Sequence, residues 1–160
     1  VSYINIKKSC KEDMKMSTKE LQEKILKTLK NWQKVEDSSV ESTGNVMKKS
    51  TNPIVHIVME IIQNDSRTHH RVQQMIVDSM EKKALSLTPE EMGGVWDMIE
   101  KHLQIEKKMV EHVEEALSAL KGKKMIVQEY LLNYLLTDER KHDKLLSDFN
   151  SIKKGMYPYA

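Results

Sequence analysis

The sequence predicts an all-α protein, a four-helix bundle built from two repeated helical hairpins. Apolar side chains recur every three or four residues along four long stretches, which is the period of an amphipathic helix. No stretch alternates apolar and polar residues with the period of two that indicates a strand. The chain has only three prolines and five glycines in 160 residues, so few turns interrupt these stretches.

Two helix start signals define the first hairpin. Ser17 and Glu20 form a capping box, in which each side chain satisfies a backbone group of the other residue, so the first helix begins here. Asn52 and Pro53 mark the second start, a cap followed by proline at the first helical position. The stripes expected to be buried are Leu21, Ile25, Leu29, Trp32, Val40 and Met47 in the first helix, and Val55, Val58, Met59, Ile62, Val72 and Ile76 in the second.

The second hairpin begins with the same kind of signal. Thr88 is a cap, Pro89 follows at the first helical position, and Glu91 closes the capping box. Gly93 and Gly94 come next, so the sequence leaves open whether the main helix begins at the proline or after this pair. The stripes expected to be buried are Val95, Ile99, Met109, Val113, Leu117 and Leu120 in the third helix, and Val127, Leu131, Leu135, Leu145, Leu146 and Phe149 in the fourth.

The composition argues against several classes of protein. A net charge of +2, with no basic stripe and no interleaved aromatic residues, offers no electrostatic surface for nucleic acid. No apolar run approaches the ~18 residues of a membrane helix, and the N-terminus lacks the apolar region of a signal peptide. Cys10 is the single cysteine, so we expect a reducing, cytoplasmic location. Residues 17–152 are predicted to form one bundle domain, between a flexible tail of residues 1–16 and a C-terminal tail of residues 153–160.

Ionisable residues interrupt the apolar stripe of each helix. They are Glu36 in the first helix, His69 in the second, Glu106 in the third, and Glu139 with His142 in the fourth. The first and third helices match at an offset of 70 residues and the second and fourth at 73, so the hairpins repeat one pattern. Each interruption lies about 20 to 27 Å from its helix start. Burying an ionisable group is costly unless it is paired or bound to a metal, so the sequence predicts one shared polar site.

This pattern resembles the ferritin-like di-iron carboxylate superfamily, to which rubrerythrins and ferritins belong. The hallmark of that superfamily is one Glu from each of two helices and a Glu-x-x-His motif from each of the other two. The resemblance extends over residues 17–152 and implies that one or two ions are bound, iron first, with manganese or zinc as alternatives. It implies five metal ligands, Glu36, His69, Glu106, Glu139 and His142.

The second helix departs from the family motif. Ser66 occupies the position that matches Glu139, so one carboxylate expected to bridge two metals is missing. Asp65 lies one residue out of register, about 100° around the helix, and serves as a ligand only if the helix rotates or widens; Ser66 would serve only through a water. We therefore expect weaker binding of a second metal, or a single metal. His102, one turn before Glu106, is either a substitute ligand or a donor to a ligand.

Each of these residues also has an interpretation without a metal. Glu139 and His142 would form a partly exposed ion pair near a helix end. Glu106 would be a solvated glutamate flanked by lysines, and Glu36 a residue at the boundary of the core. His69 would be a core histidine hydrogen-bonded to Glu36.

Two classes of function follow. The first is a ferritin-like metalloprotein that oxidises Fe(II), reduces peroxide or performs another O₂-linked redox step, although the sequence indicates no catalytic residue. A single cysteine leaves no rubredoxin-like cysteine pairs, which argues against a complete rubrerythrin-type peroxidase. The second is a metal-free bundle acting as a dimerising or adaptor module, with Ser66 as its best support. A homo-oligomer is expected, and a dimer is favoured over an iron-storage cage.

The connection between the second and third helices decides the topology. Ferritin-like bundles cross over along the bundle here, and the resemblance favours this arrangement. A connection of about five residues reaches at most ~18 Å. A crossover therefore requires the second helix to end near Asp78 or the third to begin after Gly94; the alternative is an up-down-up-down bundle.

Overall fold

The computed structural model describes residues 16–86 and 88–156, with side chains described as far as Phe149. Within these residues the chain forms four helices and no strand, which confirms the predicted all-α class. The helices are α1 (Thr18–Lys49), α2 (Pro53–Glu81), α3 (Pro89–Ala119) and α4 (Ile126–Met156). The N-terminal tail lies outside the described residues except for Met16, and α4 continues past residue 152, where the bundle was predicted to end.

The chain divides into two compact units between Leu85 and Ser86. In the first unit α1 packs against α2, and we call this pair hairpin 1. In the second unit α3 packs against α4, and we call this pair hairpin 2. Residues 50–52 join the helices of hairpin 1 and residues 120–125 join those of hairpin 2, connections of the length typical of antiparallel neighbours.

The predicted start signals are present in the structure. Ser17 forms the capping box with Glu20, and the Asn52 side chain caps the first turn of α2. Thr88 forms a capping box with Glu91, and α3 runs without a break from Pro89 through the glycine pair to Ala119. The main helix therefore begins at the proline, because the cap satisfies the orphan amides of its first turn and two helical glycines cost only about 2 kcal/mol together.

The connection between the hairpins meets neither condition for a crossover. The second helix ends at Glu81, beyond Asp78, and the third begins at Pro89, before Gly94. Residues 82–88 reach at most about 25 Å when fully extended, whereas α2, with 29 residues, is about 43 Å long. The expected crossover is therefore not confirmed by these helix ends, and it stays a prediction.

The seam between the two helices of hairpin 1 is largely polar. Its buried residues are Leu29, Gln33, Glu36 and Thr43 on α1, with Ser66, Gln73 and Val77 on α2. Gln33 donates to the side chain of Gln74 at 2.9 Å, and Gln63 donates to the backbone carbonyl of Val40 at the same distance. Cross-helix hydrogen bonds therefore take the place of much of the apolar packing that the sequence predicts.

Only part of each predicted stripe is buried. Of the α1 stripe, Leu29 is 8% exposed, whereas Ile25 is 36% and Trp32 is 52% exposed. The stripe is wider than one partner helix covers, so its flank stays open to solvent. The same holds for Ile62, Val72 and Ile76 on α2 and for Val95, Val127, Leu135 and Leu145 in hairpin 2. So many exposed apolar side chains are typical of a surface that packs against a second surface.

Gly122 follows α3 with a φ of 75°, a left-handed conformation. We expect Gly122→Ala to lower the free energy of unfolding by about 1 kcal/mol, because a Cβ makes this conformation unfavourable. Gly93→Ala is the matched control: no atom lies within 4 Å of the added Cβ, and alanine stabilises a helix interior by about 0.5–1 kcal/mol. In urea unfolding, the change in the free energy of unfolding should be negative for Gly122→Ala and positive for Gly93→Ala. Changes of the same sign would contradict this expectation.

Candidate metal centre

Hairpin 2 brings three of the predicted ligands together. Glu106 projects from α3, while Glu139 and His142 project from α4. The two α4 residues are three positions apart and so share one face of the helix. One potential ligand atom from each of the three residues lies within 4.8 Å of the others. We call Glu106, Glu139 and His142 the carboxylate–histidine group.

The spacing within the carboxylate–histidine group matches that of atoms around one ion. Nδ1 of His142 lies 3.4 Å from Oε2 of Glu106 and 3.3 Å from Oε2 of Glu139. Ligand atoms about 2.1 Å from a metal are separated by about 3.4 Å in a tetrahedral site and by about 3.0 Å at adjacent octahedral positions. The side chains therefore need little rearrangement to hold a cation between them.

The electrostatics of the group also favour a cation. Glu106 is only 4% exposed, and among the described residues none forms a hydrogen bond with its Oε2. Burial raises the pKa of the Glu139 carboxyl, and the neighbouring Glu106 carboxylate raises it further, while His142 acts in the opposite direction. A buried carboxylate beside a second, partly buried one is unfavourable without a positive charge, and a buried oxygen without a hydrogen bond is costly. A metal ion would offset both.

A further carboxylate, that of Asp138, lies near the far side of the His142 ring. Oδ2 of Asp138 lies 3.8 Å from Nε2 of His142 and accepts a hydrogen bond from the Tyr134 hydroxyl at 3.3 Å. Burial opposes ionisation of Asp138, but ion pairing with Lys141, the His142 charge and the Tyr134 hydroxyl together hold its pKa below the usual value. Nδ1 of the same ring faces Glu106 and Glu139, so Asp138 lies on the side of the ring away from the carboxylate–histidine group. The position of Asp138 beside His142 was not predicted, although their i, i+4 spacing was a signal for it.

His102 lies next to the carboxylate–histidine group. Its Nε2 is 2.9 Å from Oε1 of Glu106, and its side chain is 55% exposed. A cleft of about 280 Å³ opens at this point of hairpin 2, and it is lined by His102, Glu106, His142, Leu145 and Leu146. The cleft gives an ion access to the group from solvent.

Hairpin 1 brings together the other two predicted ligands. Nδ1 of His69 lies 3.4 Å from Oε1 of Glu36, which is 7% exposed, while the His69 side chain is 57% exposed. Gln73 donates to the same Glu36 oxygen at 3.4 Å, and its own buried Oε1 has no hydrogen-bond partner among the described residues. Gln73 was not predicted to be part of this group; it is a polar residue at the position where the repeat places Leu146 in hairpin 2. A glutamate, a histidine and an amide meet here, with one carboxylate fewer than in hairpin 2.

Ser66 and Asp65 of α2 do not add a carboxylate to this group. Ser66 is 5% exposed, and its hydroxyl donates to the hydroxyl of Ser39 at 2.9 Å. This bond satisfies the serine within the seam, at the position where hairpin 2 has Glu139. Asp65 is exposed. The predicted ligands thus form a pair in hairpin 1, Glu36 and His69, and a group of three in hairpin 2.

Stability of the metal-free chain should depend on pH through Glu139. The folded-state pKa of this carboxyl is raised, so its contribution to stability is complete below the ordinary pKa and is lost as pH rises through the folded value. We expect Glu139→Gln to weaken this decline, measured as the free energy of unfolding in urea from pH 4 to 8 with chelator present. Glu129→Gln, at an exposed position in the first turn of α4, should keep the decline. An unchanged slope in Glu139→Gln would contradict the assignment.

The fold and this group define an all-α protein with a carboxylate–histidine cluster that could hold a metal ion. No protein-family model matches the chain, and a search of curated proteins and of solved structures finds no match either. In the described part of the chain, no helix combines the length and apolarity needed to cross a membrane.

Proposed function

We propose that the chain is a metal-binding protein and that hairpin 2 holds a metal ion through Glu106, Glu139 and His142. The observation that carries this proposal is the Glu106 carboxylate, 4% exposed, with no hydrogen bond to its Oε2 from any described residue. Two carboxylates and an imidazole converge on the same space within 4.8 Å. A divalent cation there neutralises the carboxylates and supplies the missing partner.

Iron is the metal that this donor set favours, with manganese next. Carboxylate oxygens and imidazole nitrogens suit iron and manganese, whereas a site selective for zinc more often includes thiolate or more imidazole. A bound iron would supply redox chemistry toward O₂ or peroxide. The residues of the chain would hold it: Glu106 and Glu139 by charge, and His142 by the Nδ1 of its imidazole, with the Asp138 carboxylate 3.8 Å from the opposite nitrogen.

The repeated pattern supports a ferritin-like arrangement of this chemistry. Each hairpin has a buried glutamate on its first helix and a histidine on its second at matching positions, Glu36 with His69 and Glu106 with His142. Hairpin 1 lacks the carboxylate that a full two-metal site requires, so one ion binds tightly and a second binds weakly or not at all.

Metal analysis tests the proposal directly. The full chain, purified without chelator, should contain close to one equivalent of iron or manganese, and its Tm should rise on addition of Fe(II) under anaerobic conditions or of Mn(II). Glu139→Ala should abolish both effects, while Glu129→Ala, an exposed glutamate on the same helix, should retain them. No bound metal and no thermal shift in the parent chain would refute the proposal.

A metal-free dimerising or adaptor module is the second candidate. One argument for it is Ser66, which stands at a ligand position of the family motif and is hydrogen-bonded to Ser39 without any ion. A second is the exposure of apolar residues such as Trp32 and Met98. Such a module would form a dimer, bind no metal and keep its fold in Glu139→Ala. Native mass spectrometry measures the assembly, and a mass of one or two chains would exclude an iron-storage cage.

A further inference from the structure

We propose that His102 is a fourth ligand, so that hairpin 2 by itself binds a single ion through two carboxylates and two imidazoles. This inference rests on the proposed metal-binding function and adds to it the nuclearity and the complete ligand set. It replaces the expectation of a site shared among four helices with a site contained in α3 and α4.

Each helix of hairpin 2 then contributes one chelating pair. His102 and Glu106 are four residues apart on α3, and Glu139 and His142 are three apart on α4, so each pair lies on one helix face. Residues at i and i+4 on one helix can bind the same ion, as the two histidines of a helical zinc motif do. Two such pairs on adjacent helices would provide four protein ligands: Glu106, Glu139 and His142 already have ligand atoms within 4.8 Å of one another, and the His102 imidazole would turn toward them.

The distance between His102 and Glu106 fits this arrangement. Its Nε2 lies 2.9 Å from Oε1 of Glu106, close to the ~3.0 Å between adjacent ligands of an octahedral ion with 2.1 Å bonds. His102 and His142 both line the 280 Å³ cleft together with Glu106. With its side chain 55% exposed, the His102 imidazole has room to turn toward an ion in that cleft.

The differences between the two hairpins also support a site contained in hairpin 2. Where hairpin 2 has His102, the offset of 70 residues places Trp32 in hairpin 1, and where hairpin 2 has Glu139, the offset of 73 places Ser66. Hairpin 2 therefore has two ligand-type residues that hairpin 1 lacks. Two carboxylates and two neutral imidazoles balance the charge of a divalent ion, so no group from hairpin 1 is needed for neutrality.

Counting the coordinated imidazoles tests the inference. The full chain is loaded with one equivalent of Cu(II), and pulsed electron paramagnetic resonance counts the histidines bound to it, while titration with Mn(II) gives the affinity. We expect two imidazoles in the parent chain and in the variant with both Glu36→Gln and His69→Ala. His102→Ala should show one imidazole and an affinity lowered by at least about tenfold. His112→Ala, which removes an exposed histidine of the same helix, should match the parent.

The outcomes separate this inference from the proposed function. A parent chain that binds no metal would refute both. Metal binding with two imidazoles retained in His102→Ala would overturn the inference alone. A lowered affinity with an unchanged imidazole count would make His102 a positioning residue for Glu106, which also overturns it. Circular dichroism checks the fold, and His102→Gln provides a second variant that keeps a polar side chain on Glu106.

Discussion

Glu106→Gln is expected to abolish metal binding and to stabilise the metal-free chain. The substitution removes a ligand charge, so the affinity for Fe(II) or Mn(II) should fall by more than about 100-fold. Without metal, Glu106 is buried, accepts no hydrogen bond at Oε2 from the described residues and lies beside Glu139. The neutral amide of the introduced glutamine can donate a hydrogen bond to Glu139. The free energy of unfolding at pH 7 should therefore rise by about 1–3 kcal/mol.

Urea unfolding with chelator and calorimetric titration with Mn(II) measure the two effects separately. Glu36→Gln is the matched control, because Glu36 is the buried glutamate at the equivalent position of hairpin 1. It should leave the affinity of the tight site unchanged. A Glu106→Gln variant that binds metal normally, or that loses stability in the presence of chelator, would mean that the carboxylate serves the fold and not a cation.

Ser66→Glu is expected to give the chain a second metal site. The substitution would place in hairpin 1 the carboxylate that Glu139 provides in hairpin 2, next to Glu36 and His69. Without metal, it buries an additional acid and breaks the bond to Ser39, so we expect a loss of about 3–5 kcal/mol at pH 7. Added Mn(II) or Fe(II) should restore the stability and raise the stoichiometry from one ion per chain to two.

Metal content by mass spectrometry of the protein, together with Tm at increasing Mn(II), tests this gain. Thr68→Glu adds the same charge at an exposed position two residues along α2 and should change neither the stoichiometry nor the response of Tm to metal. A folded Ser66→Glu chain that still binds one ion would show that hairpin 1 does not share the ligand geometry of hairpin 2.

The number, type and starting points of the helices were predictable because they depend on local chemistry. The capping boxes at Ser17 and Thr88 and the proline at residue 53 satisfy or remove backbone donors within a few residues of each other. The candidate ligands were indicated by the sequence for a related reason, and their role stays a prediction. Spacing along one helix determines which residues share a face, and the repeat pairs Glu36 with Glu106 and His69 with His142.

Contacts between helices were not predictable from these local rules. A stripe on a helix indicates which face is apolar, but the partner helix decides how much of that face is covered, so Leu29 is buried while Trp32 is exposed. The same limit applies to Gln73, whose burial beside Glu36 depends on how α1 and α2 pack.

The sequence by itself determined an all-α chain of two hairpins with an ionisable interruption in each helix. Tertiary structure decided which interruptions meet, because a ligand set forms only where side chains of two helices converge. It joined Glu106 to Glu139 and His142, brought His102 to 2.9 Å from Glu106, and set Asp138 behind His142. In hairpin 1, where Ser66 bonds to Ser39, the same repeat brings together a glutamate and a histidine without a second carboxylate.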